Sequence, residues 1–501
     1  MTDRGAAADG PGRAWAARYA GLVGAVLLTV AGWLGGALPT DAVSSTPVGI
    51  WRGAHGPWSV GCWLVGSALM VGAWWSLRRG APSTRWAYLT AGLWLLPLLA
   101  APPVGSRDVY SYVCQGWAWT EGIDPYRVGV AAAGCPWAHA VAPIWRDTPA
   151  PYGPFFVLLA GLAVVLGGGL VGAVALLRAL AVAGLLLAAL CLPGLARAAG
   201  VPTRRAAWLA LACPLVGVHL VGGPHNDALL LGLLLFGLLV LVRLPGRPRA
   251  LLVAGVLLGL AVAVKAVAVV VLPFAALAAV SGRYTVRALL RDAAWLAGGV
   301  VAALLVTSLV TGLGFGWVRG LARSGDSEQW TSPPTAVGFV VDYAGALVGR
   351  EPDAVPVARM VALVLLAALL MALWWWAWTS LRRLNDARQR VARLAAARPR
   401  VTLTGAGLAL AATVLLGPAF HPWYATWPLA VLAVATVSVR RTVWFVLPCA
   451  VASFLTLPDG SGLARYTKAP GAIAMTALVL VLVVLGARAA LAWRARQARR
   501  A

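Results

Sequence analysis

Residues 250–280 read ALLVAGVLLGLAVAVKAVAVVVLPFAALAAV, an apolar run broken by one charge, Lys265. Basic residues flank both ends, with Arg243, Arg247 and Arg249 before it and Arg283, Arg287 and Arg291 after it. A single membrane crossing would place these two clusters on opposite sides. A hairpin of two half-length helices turning near Lys265 keeps them on one. An ammonium at mid-membrane depth costs roughly 2.5–3.5 kcal/mol on insertion scales, so Lys265 requires an anionic partner, a wet cavity or a short snorkelling path. Irregular backbone at that depth is tolerated only where protein or water surrounds it. The hairpin is therefore a first pointer to a site.

The rest of the chain has the same character. Of 501 residues, 61% are hydrophobic and 11% charged, where a soluble domain carries about 25% charged residues. This excludes a soluble globular protein and a disordered one. Apolar runs of crossing length fall at 18–38, 58–77, 86–104, 170–193, 204–221, 228–243, 291–312, 355–378, 401–419, 425–439, 442–457 and 470–487. The first ends in Gly-Gly-Ala-Leu-Pro rather than a small-x-small cleavage site and is expected to be retained. The sequence thus predicts an all-α polytopic membrane protein with about 12–14 transmembrane helices, plus short re-entrant or juxtamembrane helices, in a single domain over 1–501.

A net charge of +25 would ordinarily suggest nucleic acid or an anionic surface. Here most basic residues sit in alternate connectors, which the positive-inside rule assigns to the cytoplasm together with both termini. The remaining connectors, near 39–57, 105–152, 222–227, 313–354, 420–424 and 458–469, then face outward. The acids reverse the bias, since all but Asp3, Asp9, Asp292 and Asp386 lie outside. The charge is a topological signal and implies no nucleic acid. Residues 153–167 would break the alternation as a full span, so a short helix dipping into the outer leaflet is expected there.

Cys62, Cys191, Cys213 and Cys449 fall in membrane helices as packing residues. Cys114 and Cys135 share the loop 105–152 and are expected to pair if the loop faces an oxidising compartment; the alternative is two free thiols. There is no closely spaced metal-ligand set, no Walker loop and no dinucleotide fingerprint.

The outward polar residues are few. Arg107-Asp108-Val109-Tyr110 opens the first large outer loop, where the membrane surface meets water. Asp108 either caps the helix beginning at Val109 or presents a partly desolvated carboxylate able to accept a proton. Asp227, in Pro224-His225-Asn226-Asp227, is placed to cap the following helix, while His225 and His421 are structural hydrogen-bonders or ligand contacts. Trp117, Trp119 and Trp330 neighbour polar groups that could hold a sugar ring. Lys265 and Arg178, both inside apolar segments, suit a lipid with a phosphate head.

The motifs Arg-Asp-Val-Tyr-Ser-Tyr (107–112), Gly-Ile-Asp-Pro-Tyr-Arg-Val-Gly (122–129), Pro-Ala-Pro-Tyr-Gly-Pro (149–154), Pro-His-Asn-Asp-Ala-Leu (224–229), Trp-Thr-Ser-Pro-Pro-Thr (330–335) and Pro-Trp-Tyr (422–424) carry a resemblance. In this order they resemble the actinobacterial polyprenol-phosphomannose-dependent α-1,6-mannosyltransferases, the MptA/MptB family, leaning towards the MptB branch. The resemblance implies a GT-C fold and transfer of mannose from polyprenyl-phosphate-mannose to a lipid-anchored mannan, the core of lipomannan and lipoarabinomannan. It places the reaction on the outer face of a bacterial plasma membrane. It also implies that Asp108, in the outer catalytic loop 105–152, is the base.

Phosphate is a competent leaving group, so the donor side needs charge stabilisation rather than an acid. Lys265, Arg178, Arg323 and His421 are the candidates for the phosphate. Arg107, Tyr110, Trp117, Tyr152, His225, Asp227, Trp330 and Tyr424 are candidate substrate contacts, and no metal or other cofactor is expected. The rivals are a GT-C arabinosyl- or glucosyltransferase and a lipid-linked sugar transporter or flippase. No internal repeat supports the transporter.

Overall fold

A computed structural model describes residues 11–40 and 49–498. Arg4, Asp3, Asp9 and Asp41, counted above in the charge asymmetry, lie outside the described residues. The described chain is helical throughout, with one isolated bridge between Thr456 and Gly462.

Among the described residues, seven helices are long and apolar enough to cross a membrane: Gly12–Gly35, Gly56–Ser76, Leu170–Ala199, Val286–Thr311, Ala354–Arg382, Arg390–Leu416 and Lys468–Ala492. An eighth span forms if Thr203–Leu211 and the π-helical Val216–Gly222 count together; they are bent by 59°, with Pro214 in the break. This is fewer than the expected 12–14. The difference lies in helices that stop short of full thickness: Thr84–Leu99 has 16 residues, Asp227–Arg243 has 17, Thr426–Ala435 has 10 and Val439–Ala452 has 14. Every residue of Thr426–Ala435 is buried. A helix wrapped by protein need not match the lipid thickness, because its ends are satisfied by neighbours.

The run 250–280 folds as two half-length pieces. Pro248–Val264 ends at Lys265, whose backbone is extended at φ −154°, ψ 126°. A 3-10 turn, Ala266–Val271, leads into Leu272–Ala279. The ends of the hairpin meet, with the Gly246 N–H donating to the Ala279 carbonyl at 2.8 Å. Pro154–Gly167 is a short helix of 14 residues. Its start lies against the hairpin tip, since a Cβ on Gly153 would come within 2.4 Å of the Ala263 carbonyl oxygen.

Contacts between connectors sort them into two ends, as their charges do. At one end Arg204 bonds the Ala81 carbonyl, Arg205 those of Thr436 and Val437, Arg398 that of Val280 and Arg400 that of Ala199. All of these belong to the basic connectors. At the other end the acidic connectors converge on a cavity.

Candidate active site

The helix Asp108–Thr120 positions the site. Its backbone closely approaches the short Pro154–Gly167 helix; a Cβ on Gly116 would lie 2.4 Å from the Ala160 carbonyl carbon. At its base, the Gly105 N–H donates to the Pro458 carbonyl at 2.9 Å. A disulfide joins Cys114 to Cys135, Cα–Cα 5.6 Å, tying the helix to its own loop.

Asp108 does not cap this helix. The helix begins at Asp108 itself, and the Ser106 hydroxyl accepts the Asp108 N–H at 3.1 Å. The carboxyl lines a cavity of about 470 Å³ among the acidic connectors and also a smaller recess of about 60 Å³. Trp145 and His421 share both linings with it. Burial lifts the Asp108 pKa to about 6; the nearby Lys265 charge opposes the rise, Asp227 adds to it and the Ser106 hydroxyl opposes it.

Behind the wall lies a buried cluster. Lys265 Nζ bonds both Asp227 oxygens at 2.9 Å, and Trp427 Nε1 donates to Oδ1 at 2.6 Å. The rings of Tyr424, Trp427 and Tyr152 surround the ammonium at 4.9, 5.3 and 5.9 Å. Asp227 is thus a counter-ion, not the helix cap expected of it. Lys265, expected at the donor phosphate, is paired with Asp227 here and lines neither cavity. His225 Nδ1 stands 3.8 Å from both Asp108 and Asp227, and its ring lies on Trp423 at 4.0 Å. Burial, reinforced by His219 and Lys265, holds the imidazole well below its usual range. At 3.8 Å neither approach is a hydrogen bond.

Of the other expected site residues, Tyr152, Tyr424 and Arg323 line the recess. Arg323 also pairs with Asp326 at 2.7 Å. Arg107 lines the larger cavity and donates to the carbonyls of Asp459 and Ala140. Burial, then the Lys265 charge, brings the His421 pKa down to about 4.

Four expectations fall away from the cavities. Arg178 donates instead to the carbonyls of Leu99, Ala101 and Gly222, satisfying chain ends within the bundle. The Tyr110 hydroxyl bonds the Ala37 carbonyl at 2.6 Å. Trp117 packs against the core. Trp330 bonds Thr467 Oγ1 at 3.0 Å and lies over Gly471.

Sequence reading missed Trp145, Ser111 and Gln115 in the recess and Asp459 in the larger cavity. Asp459 is buried and bonded to the Ser461 amide and hydroxyl. Asp108, Ser111 and Gln115 follow the i, i+3, i+7 spacing of one helix face, the signal that could have found them. Among the described residues, no three His, Cys, Asp or Glu side chains gather as a metal-holding group.

Residues 18–281 match the family described as alpha-(1→6)-mannopyranosyltransferase, N-terminal domain, and residues 334–485 match the MptB C-terminal domain. Alpha-(1→6)-mannopyranosyltransferase A of Mycobacterium tuberculosis is 35% identical over 431 residues, 82% of this chain and 79% of that protein. A probable alpha-(1→6)-mannopyranosyltransferase of Mycolicibacterium smegmatis is 32% identical, covering 86% of this chain and 80% of its own length. Alpha-(1→6)-mannopyranosyltransferase B of Corynebacterium glutamicum is 28% identical, covering 75% and 63%. No solved structure matches the chain.

Proposed function

The chain belongs to the alpha-(1→6)-mannopyranosyltransferase family and is a multi-pass membrane mannosyltransferase, and on that premise we propose that it takes mannose from polyprenyl-phosphate-mannose. The acceptor is a lipid-anchored mannan of the cell envelope, extended through α-1,6 linkages on the outer face of the plasma membrane. The observation that carries this reading is Asp108: a carboxyl raised to about 6, released from capping, at the junction of a wide cavity and a smaller recess.

The wide cavity suits the end of a polymer, and the recess, at about 60 Å³, takes the hydroxyl edge of a hexosyl group. Ionised Asp108 accepts the proton of the acceptor hydroxyl as its oxygen bonds to the anomeric carbon. The bond from that carbon to the phosphate oxygen breaks, and polyprenyl phosphate leaves with the electron pair. One displacement inverts the centre, turning a β-linked donor into an α-linked product. Arg323, at the recess, is the cation available to the leaving phosphate, and His421 can donate a hydrogen bond. The scheme requires no metal.

The test uses purified protein in detergent with polyprenyl-phosphate-mannose and a short α-1,6-mannan. The protein should extend the acceptor, and Asp108→Asn should lower turnover roughly 100- to 10,000-fold, the range of a lost general base. Transfer that persists unchanged in Asp108→Asn removes the base from the scheme.

A further inference from the structure

Two buried polar atoms of the recess are unused by the scheme above. Ser111 Oγ and Gln115 Oε1 have no hydrogen-bond partner among the described residues, and the two residues are 4% and 5% exposed. Both residues line the recess with Asp108. A serine inside a helix ordinarily turns its hydroxyl back onto the carbonyl four residues earlier. Thr29, Thr307, Thr402 and Thr413 do so in this protein, but Ser111 does not.

A buried polar atom without a partner is expensive to keep. Here two of them stand on one face of one helix, at three and seven residues beyond the proposed base. That face is fixed. Gly116 brings the helix backbone against Ala160 and Gly161, and the Cys114–Cys135 disulfide holds the opposite strand of the loop. The polar atoms are thus preorganised rather than free to find partners by moving. Across the recess, Tyr152 and Tyr424 supply aromatic surface, the usual complement to the apolar face of a pyranose.

We propose that Ser111 and Gln115 are specificity-determining residues that hydrogen-bond ring hydroxyls of the transferred hexose. This rests on the reading of the protein as a polyprenyl-phosphate-mannose-dependent transferase and assigns the recess, about 60 Å³, to the hydroxyl edge of the donor sugar. The amide oxygen of Gln115 accepts from one hydroxyl. The Ser111 hydroxyl, one turn nearer Asp108, pairs with another. A site built this way discriminates strongly against a sugar lacking the matching hydroxyl, because its own buried groups then stay unpaired.

The experiment compares kcat/KM for polyprenyl-phosphate-mannose and its 2-, 3-, 4- and 6-deoxy analogues in the wild type, Gln115→Leu and Ser111→Ala. The wild type should disfavour at least one deoxy donor roughly 10- to 100-fold. The matching variant should lose that preference, its rate with mannose falling to the rate it shows with the deoxy sugar. A merely structural role lowers all five donors equally, so an unchanged ratio in both variants, with the wild type active, overturns this assignment alone. Ser111→Ala removes one atom, which keeps the comparison sound if Gln115→Leu folds poorly. A wild type that uses no mannosyl donor overturns the functional reading and this assignment with it.

Discussion

At the scale of the residue, Asp108 carries opposite consequences for activity and stability. On the proposed scheme the base works ionised, so kcat/KM should climb as pH rises through about 6 and level off above, falling about tenfold per unit below. A rate independent of pH across that window would remove the carboxylate from the rate-limiting step. For stability the sign reverses. A carboxyl raised from 3.8 to about 6 in the fold binds its proton more tightly there than in the unfolded chain. Its stabilising contribution is full below about 3.8 and is lost as pH rises through about 6. Ionised Asp108 at neutral pH therefore costs the fold about 3 kcal/mol. Asp108→Asn should melt higher at pH 7 while losing transfer, the trade-off expected where function needs an unfavourable group; scanning calorimetry checks it, and a lower Tm counts against the shift. Asp108 stood out in the sequence as a carboxylate ending an apolar run, but the residues alone left cap and base open, and only the family resemblance pointed to the base. Ser111 and Gln115 did not stand out, because neutral polar residues carry no such contrast and their shared face emerges only once the helix start is fixed at Asp108.

At the scale of the element, the hairpin was legible and the partner of its lysine was not. Basic clusters on both flanks of 250–280 force the chain to return, and the bond from Gly246 to Ala279 closes it. The need of Lys265 for an anion was equally plain. Which anion was not, because Asp227 lies 38 residues earlier on another helix, and its position looked like that of a cap. With the partner inside the protein, Lys265 holds the hairpin tip to the Asp227 helix and sets the field at Asp108. Lys265→Met leaves Asp227 buried without a counter-ion, and should destabilise by about 3–5 kcal/mol. Asp227→Asn strands the ammonium in the same way. The double variant should recover much of the loss, since pair partners are non-additive. Thermal unfolding of the four proteins in detergent measures this, and strictly additive losses would mean the pair is not a unit.

At the scale of the whole molecule, the charge asymmetry and the cavity support each other. The larger cavity draws Asp108 and Trp145 from one connector, Glu328 from a second, His421 from a third and Asp459 from a fourth. The positive-inside rule assigns all four to the same side, from sequence alone. The opposite end is knitted by arginines of the basic connectors. Helix number was less legible than helix sidedness. Hydropathy detects apolar surroundings, and a short helix wrapped by protein, such as Thr426–Ala435, is as apolar as one facing lipid. The ends of the molecule are therefore distinct, and the remaining question is which one meets the cytoplasm. Cysteines can be placed at Glu351, exposed in the outer loop 313–354, and at Arg388, exposed among the basic connectors, in a Cys62→Ala background. Of the other free thiols, Cys191, Cys213 and Cys449 are buried. A membrane-impermeant maleimide on intact cells should label Glu351→Cys and reach Arg388→Cys only after permeabilisation. The reverse pattern would turn the Asp108 cavity towards the cytoplasm and overturn transfer on the outer face.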